Sequence, residues 1–125
     1  MAVFRNDAHL QSAITSAIKI RQRIRSLDSE LQQEIGFSPS VSIGINGGKM
    51  VAGNVGAKCV NRYDFTVIGD TVNVAARLQG IANPGEIIIT EAAKNQMEDK
   101  FIFEDRGTKT LKGKAQQIHV FNVLR

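Results

Sequence analysis

Tryptophan is absent from this chain of 125 residues, tyrosine occurs once, and a single cysteine, Cys59, stands alone. One cysteine excludes an internal disulfide and fits a reducing compartment. Without Trp and with one Tyr, the basic groove with stacking rings that binds single-stranded nucleic acid is poorly met, and no nucleic-acid partner is expected. Prolines number 2 and glycines 11, so most of the chain is free to adopt ordered structure. No apolar run approaches the ~20 residues that a membrane helix requires. The longest, Ile87-Ile88-Ile89 and Val67-Ile68, are strand-sized, and Met1-Ala2-Val3-Phe4-Arg5 is too short for the apolar region of a signal peptide. This segment is therefore expected to make no membrane contact and to reside in the cytoplasm, with membrane attachment of a parent protein left open.

What is present is enough apolar material for one core, 42% of residues, and a net charge of +4. Lys19, Arg21, Arg23 and Arg25 cluster in one segment; Lys58 and Arg62, then Lys109, Lys112 and Lys114, fall in two later loops. Such a balance suits either a solvated basic face or attraction to phosphorylated small molecules, anionic lipid or nucleic acid.

Met1-Ala2-Val3-Phe4 reads as the tail of a strand, and a chain opening in mid-strand looks like a cut edge. Asn6-Asp7 is a plausible N-cap pair for a long helix reaching about Ile35, with apolar positions at Leu10, Ile14, Ala17, Ile18, Ile24, Leu27, Leu31 and Ile35. Gly36 suits its C-terminus. Val41, Ile43 and Ile45 alternate with small polar residues as a strand does, and Asn46-Gly47-Gly48 signals a tight turn into a returning strand around Val51 and Val55. Residues 56–62 read as a polar loop and Tyr63 to Ile68 as a third strand. A helix over 71–82 follows, capped by Asp70 or Thr71. Asn83-Pro84-Gly85 is a turn, Glu86 to Thr90 a short buried strand, and Thr90 the cap of a helix from Glu91 to about Met97. Phe101–Phe103 and Ile118–Leu124 read as final strands around a loop at Lys109–Lys114. Alternating strands and helices place the chain in the α/β or α+β class.

The most informative segment runs Tyr63-Asp64-Phe65-Thr66-Val67-Ile68-Gly69-Asp70-Thr71-Val72-Asn73-Val74-Ala75-Ala76-Arg77-Leu78. A strand meets a helix through a glycine turn, and Asn73 and Arg77, four apart, share one helix face. An amide offers one donor and one acceptor function; a guanidinium offers a planar fork suited to phosphate oxygens. By spacing alone the two are also ordinary exposed helix residues.

This segment resembles the motif of class III adenylate and guanylate cyclases, in its bacterial adenylate cyclase form. The likeness extends to Ser42-Ile43-Gly44-Ile45-Asn46-Gly47-Gly48 with Val51-Ala52-Gly53-Asn54-Val55-Gly56, to Asn83-Pro84-Gly85-Glu86-Ile87-Ile88-Ile89-Thr90, and to Gly107 with Leu111-Lys112-Gly113-Lys114. Met1–Phe4 resembles the strand just after the family's Gly-Asp hairpin. The resemblance implies an α+β fold, a ferredoxin-like βαββαβ-type sheet with helices packed on one side, N-terminally truncated, with residues 1–125 as the C-terminal part of one catalytic domain. It implies conversion of ATP to cyclic AMP and pyrophosphate in intracellular signalling. Asn73 would orient the ribose, and Arg77 would stabilise charge developing on the transferring phosphoryl group. Thr66 falls where the family reads the purine edge, and a Thr there favours ATP over GTP. Lys112, with Lys114, would hold terminal phosphates as a point charge, and Arg62 is a further phosphate candidate.

Two departures accompany the likeness. The Gly56–Arg62 loop is about two residues longer than expected for the family, so Lys58 and Arg62 compete for one role. The two aspartates that bind Mg2+ or Mn2+ in the complete enzyme, and the purine-selecting lysine, are absent from this chain. Asp7, Asp64 and Asp70 do not occupy those positions, and His9 and His119 form no metal motif. In the family the site forms between two catalytic domains, so a second cyclase domain, in a homodimer, is the implied partner and the isolated fragment is expected to be inactive. The alternative reading is a non-catalytic cyclase-like module that binds nucleotide or mediates dimerisation.

Overall fold

The computed structural model describes residues 1–5, 7–36, 38–48, 51–57, 62–68, 70–111 and 117–125, with 51–57 and 62–68 described as backbone. In chain order the elements are α1 (His9–Ile35), β1 (Ile43–Ile45), β2 (Val51–Ala57), β3 (Arg62–Ile68), α2 (Asp70–Ile81), β4 (Ile87–Thr90), α3 (Glu91–Gln96), β5 (Phe103–Thr110) and β6 (Gln117–Val123). The α+β class holds. A four-stranded sheet runs in the order β1-β4-β6-β5, and β2 and β3 pair as a separate antiparallel ribbon.

The central strands are apolar on both sides because both faces of the sheet are covered. Ile87, Ile89, Phe121 and Val123 pack under Leu10, Ile14 and Ala17 of α1 and Ala93 of α3. Ile88 and Val120 point the other way, onto Val74 and Leu78 of α2. This corrects the expectation of helices on one side: alternate residues of β4 serve two separate cores, with α1 and α3 on one face and α2 on the other. Such burial stabilises each large side chain by about 1.5–3 kcal/mol.

Several boundaries differ from the sequence reading. Residues 1–5 lie in no strand, since none of the described strands runs beside them as a ladder partner. Helix α1 starts one residue after Ala8, which makes no side-chain cap; Asp7 sits in the preceding turn, and Asn6 lies outside the described residues. Its end is as expected, with Gly36 left-handed at φ 64° and its N–H donating to the Gln32 carbonyl. At about 40 Å the helix outruns the sheet, so that Ile35 is 66% exposed while Ile14 is fully buried.

The turn signal at Asn46-Gly47-Gly48 does not close a hairpin. β1 pairs in parallel with β4, Gly44 opposite Ile88, and β2 pairs with β3 instead. The crossover through α2 brings β4, Ile87-Ile88-Ile89-Thr90 with its three isoleucines buried, beside β1. The loop read at 56–62 narrows, because Gly56, Ala57 and Arg62 belong to strands. Likewise Lys109 lies within β5, which extends well beyond the expected Phe101–Phe103. Thr90 caps α3 as expected, its Oγ1 accepting from the Ala93 N–H at 3.3 Å. Among the described residues no helix is long and apolar enough to cross a membrane.

Buried polar groups tie the layers together. Arg21, 4% exposed in the middle of α1, donates to the carbonyls of Val123 at 2.7 Å, Leu124 at 2.6 Å and Gly85 at 3.4 Å. Burial, and then the neighbouring Arg25, lower its pKa. The expected solvated basic face therefore excludes Arg21, which is a structural clamp. Glu86, also buried, accepts from the Asn83 N–H at 2.8 Å and pairs with Arg106. Asn122 Oδ1 accepts from the Ile87 N–H at 3.0 Å.

Candidate functional site

Helix α2 is held against β1 at very close range. A Cβ on Gly44 would stand 2.4 Å from both the Ala75 carbonyl oxygen and the Gln79 nitrogen, so only glycine lets the helix settle there. Asn46, at the end of β1, donates from Nδ2 to the Thr71 carbonyl at 3.1 Å and fixes the first turn of α2. Asp70 places a carboxylate in that first turn, where the helix dipole favours negative charge.

The core side of α2 is Val74 and Leu78. At 100° per residue, Asn73 and Arg77 lie about 40° apart around the axis and away from Leu78. Asn73 is exposed and Arg77 half-buried. The expected shared face is thus observed. Arg77 has no hydrogen-bond or ion-pair partner among the described residues.

The other sequence candidates are less closely drawn. Thr66 stands in β3 opposite Gly53, and Arg62 begins the same strand opposite Ala57. Lys58, Lys112 and Lys114 lie outside the described residues. The structure therefore brings Asn73 and Arg77 together on one helix face and puts Thr66 on the strand that feeds it.

Sequence reasoning passed over a second polar cluster, on the exposed face of β5 and β6. His119 Nε2 lies 2.7 Å from Asp105 Oδ1, which also accepts from the Gly107 N–H at 2.6 Å. These bonds, His119 first, hold the Asp105 carboxyl below its usual range. The imidazole stacks on Phe121 at 4.6 Å between centroids, and Lys94 sits 5.3 Å from the same ring. The signal was hidden because the two partners are fourteen residues apart and meet only through the β5–β6 register.

The family implies a divalent metal. Among the described residues no group of three or more His, Cys, Asp and Glu side chains converges to hold one, so the residues present do not fit a metal centre.

Comparison with known proteins bears on this arrangement directly. A family model described as the adenylate and guanylate cyclase catalytic domain matches residues 1–123. An adenylate cyclase of Anabaena cylindrica is 34% identical over 98% of this chain, which spans 26% of that relative's length. The solved adenylyl cyclase CyaB of P. aeruginosa superposes with a TM-score of 0.85 at 28% identity, over 94% of this chain and 59% of the other. The guanylate cyclase domain of RhGC from Catenaria anguillulae, solved in complex with GTP, shares the fold with a TM-score of 0.78 at 24% identity, over 94% of this chain and 60% of that one. With the family match spanning nearly every residue and the Asn73–Arg77 helix in its expected place after β3, the chain belongs to the adenylate and guanylate cyclase catalytic domain family.

Proposed function

We propose that residues 1–125 form the C-terminal part of one cyclase catalytic domain and supply the half of an active site that orients ribose and stabilises the transferring phosphoryl group. The reaction is intramolecular: the ribose 3′-hydroxyl of ATP attacks the α-phosphorus, and pyrophosphate leaves. The observation that carries the reading is the outward presentation of Asn73 and Arg77 on one face of α2, beside a sheet edge that fixes the helix through Gly44 and Asn46.

Asn73 is the ribose-positioning group, its amide able to donate and accept at once. Arg77 meets the charge that grows on the phosphoryl oxygens as the α-phosphorus is attacked. Its guanidinium holds no ion pair of its own among the described residues, so no internal partner must be broken first. Thr66 reads the purine edge and favours ATP, in keeping with the adenylate cyclases among the relatives. Lys112, Lys114 and Arg62 supply positive charge for the terminal phosphates. The metal carboxylates come from a second catalytic domain, which the family's dependence on Mg2+ or Mn2+ requires and which these residues do not replace.

Complementation tests this. The chain is mixed with a cyclase domain that keeps its metal aspartates but carries alanine in place of its own Asn and Arg. Cyclic AMP production from ATP should appear in the mixture, not in either component, and should vanish with Arg77→Ala. A mixture that forms a stable heterodimer yet makes no cyclic AMP refutes the catalytic role and favours the non-catalytic module.

A further inference from the structure

Strand β1 and the residues just past it carry two different faces. Ile43 and Ile45 pack into the core that lies under α1. The alternate residues Gly44, Asn46 and Gly48 meet α2 instead. Gly44 lies against the backbone of Ala75 and Gln79, and a Cβ on Gly48 would stand 2.8 Å from Thr71 Oγ1. Thr71, Ala75 and Gln79 follow one another at intervals of four and so form one ridge of α2. The seat for that ridge is two glycines and one amide, with the half-buried Asn46 its only side chain.

The contacts in this seat differ in kind. At Gly44 the elements touch through bare backbone, which blocks sliding but supplies no directional bond. At Asn46 the Nδ2 donates to the Thr71 carbonyl at 3.1 Å, and a hydrogen bond has a preferred direction. The first turn of α2 needs such a tie. β3 ends at Ile68 and α2 begins at Asp70, and β3 belongs with β2 to a ribbon outside the four-stranded sheet. The start of α2 is therefore joined to the ribbon through the chain and to the sheet through Asn46. Asn73 stands two residues past Thr71, about 3 Å along the helix axis, and Arg77 about 9 Å along it.

We propose, resting on the half-site reading above, that Asn46 is a positioning residue for the cyclase reaction. Through the Thr71 carbonyl it sets the tilt of α2 against the sheet, and with it the aim of Asn73 and Arg77. It acts on the substrate only through the helix. A misplacement of about 1 Å at the reacting groups costs on the order of 100-fold in rate. The loss should fall on turnover rather than on substrate affinity, because Arg62, Lys112 and Lys114, assigned to the terminal phosphates, lie outside α2.

The test compares the parent chain with Asn46→Asp and Asn46→Ala. The first keeps the size of the side chain and removes the donor; the second removes the side chain. In the complementation mixture each should lower kcat about 10-fold or more and leave KM for ATP within about twofold. Residual dipolar couplings of the α2 amides, measured against those of β4 and β6 in the chain alone, should show the helix reoriented while the sheet keeps its own values. A kcat equal to the parent's overturns the proposal, as does a loss confined to KM, and so do unchanged α2 couplings. If Asn46→Asp does not fold, Asn46→Ala decides by the same readings. A parent mixture that makes no cyclic AMP strikes the half-site reading instead, and the α2 couplings then decide whether Asn46 sets the helix.

Discussion

The Arg21 guanidinium donates to the Val123 carbonyl across 102 residues of sequence, at 2.7 Å, and so fastens the middle of the long helix to the end of strand β6 in the central sheet. Replacing Arg21 with Met keeps the aliphatic stem and removes the donors. The carbonyls of Val123 and Leu124 then lose their charged partner, at about 1–3 kcal/mol for each buried group left unsatisfied. Urea unfolding of Arg21→Met should show a loss of about 3 kcal/mol, with Arg21→Lys between it and the parent. A loss below ~0.5 kcal/mol would mean that the clamp is ornamental.

Gly44→Ala places a methyl group 2.4 Å from two backbone atoms of α2. Backbone cannot swing aside as a side-chain tip can, so the helix must lift off the sheet. Overpacking of this kind costs about 1–3 kcal/mol. Thermal melts should register it, and Gly80→Ala, which meets nothing within 4 Å, is the control expected to leave the midpoint unchanged or raised.

Asn73→Ala and Arg77→Ala should separate stability from activity. Asn73 is exposed, and Arg77 is half-buried with no partner among the described residues, so each variant should unfold within ~0.5 kcal/mol of the parent. In the complementation assay each should lower turnover by about 100-fold or more, the scale seen when a preorganised donor to a developing negative charge is removed. Equal losses of stability and turnover would instead assign the pair to packing.

Asp105 offers a titration test. Its carboxyl is held low in the folded state, first by the His119 hydrogen bond and then by the Gly107 N–H. A depressed folded pKa gives stability that is complete above the ordinary carboxylate range and fades as pH falls through the lower folded value. Carbon-13 shifts of the Asp105 carboxyl should therefore show an acid midpoint below that of an ordinary aspartate. His119→Ala should raise it, and an unchanged midpoint would remove His119 as the cause.

Much of the architecture was legible from local pattern. The isoleucine run at 87–89, the Thr90 cap and the Gly36 stop each depend on nearby residues, and each lies where expected. The shared face of Asn73 and Arg77 follows from helix geometry alone. What escaped was set by distant contacts. Whether the Asn46-Gly47-Gly48 turn closes a hairpin depends on which strand wins the place beside β1, and β4 wins it from forty-four residues away. Arg21 looked like one more surface cation, because nothing near it in sequence reveals the carbonyls of Gly85, Val123 and Leu124 waiting for it. The start of α1 was misplaced because a long amphipathic helix can begin without a side-chain cap when tertiary packing sustains it.

With no more than a hydrogen atom's clearance at Gly44, β1 and α2 cannot slide past each other. The pair behaves as a single stiff lever, with a sheet margin at one end and a guanidinium at the other. A shift of β1 would therefore carry α2, and Arg77 with it, rather than let one slip over the other.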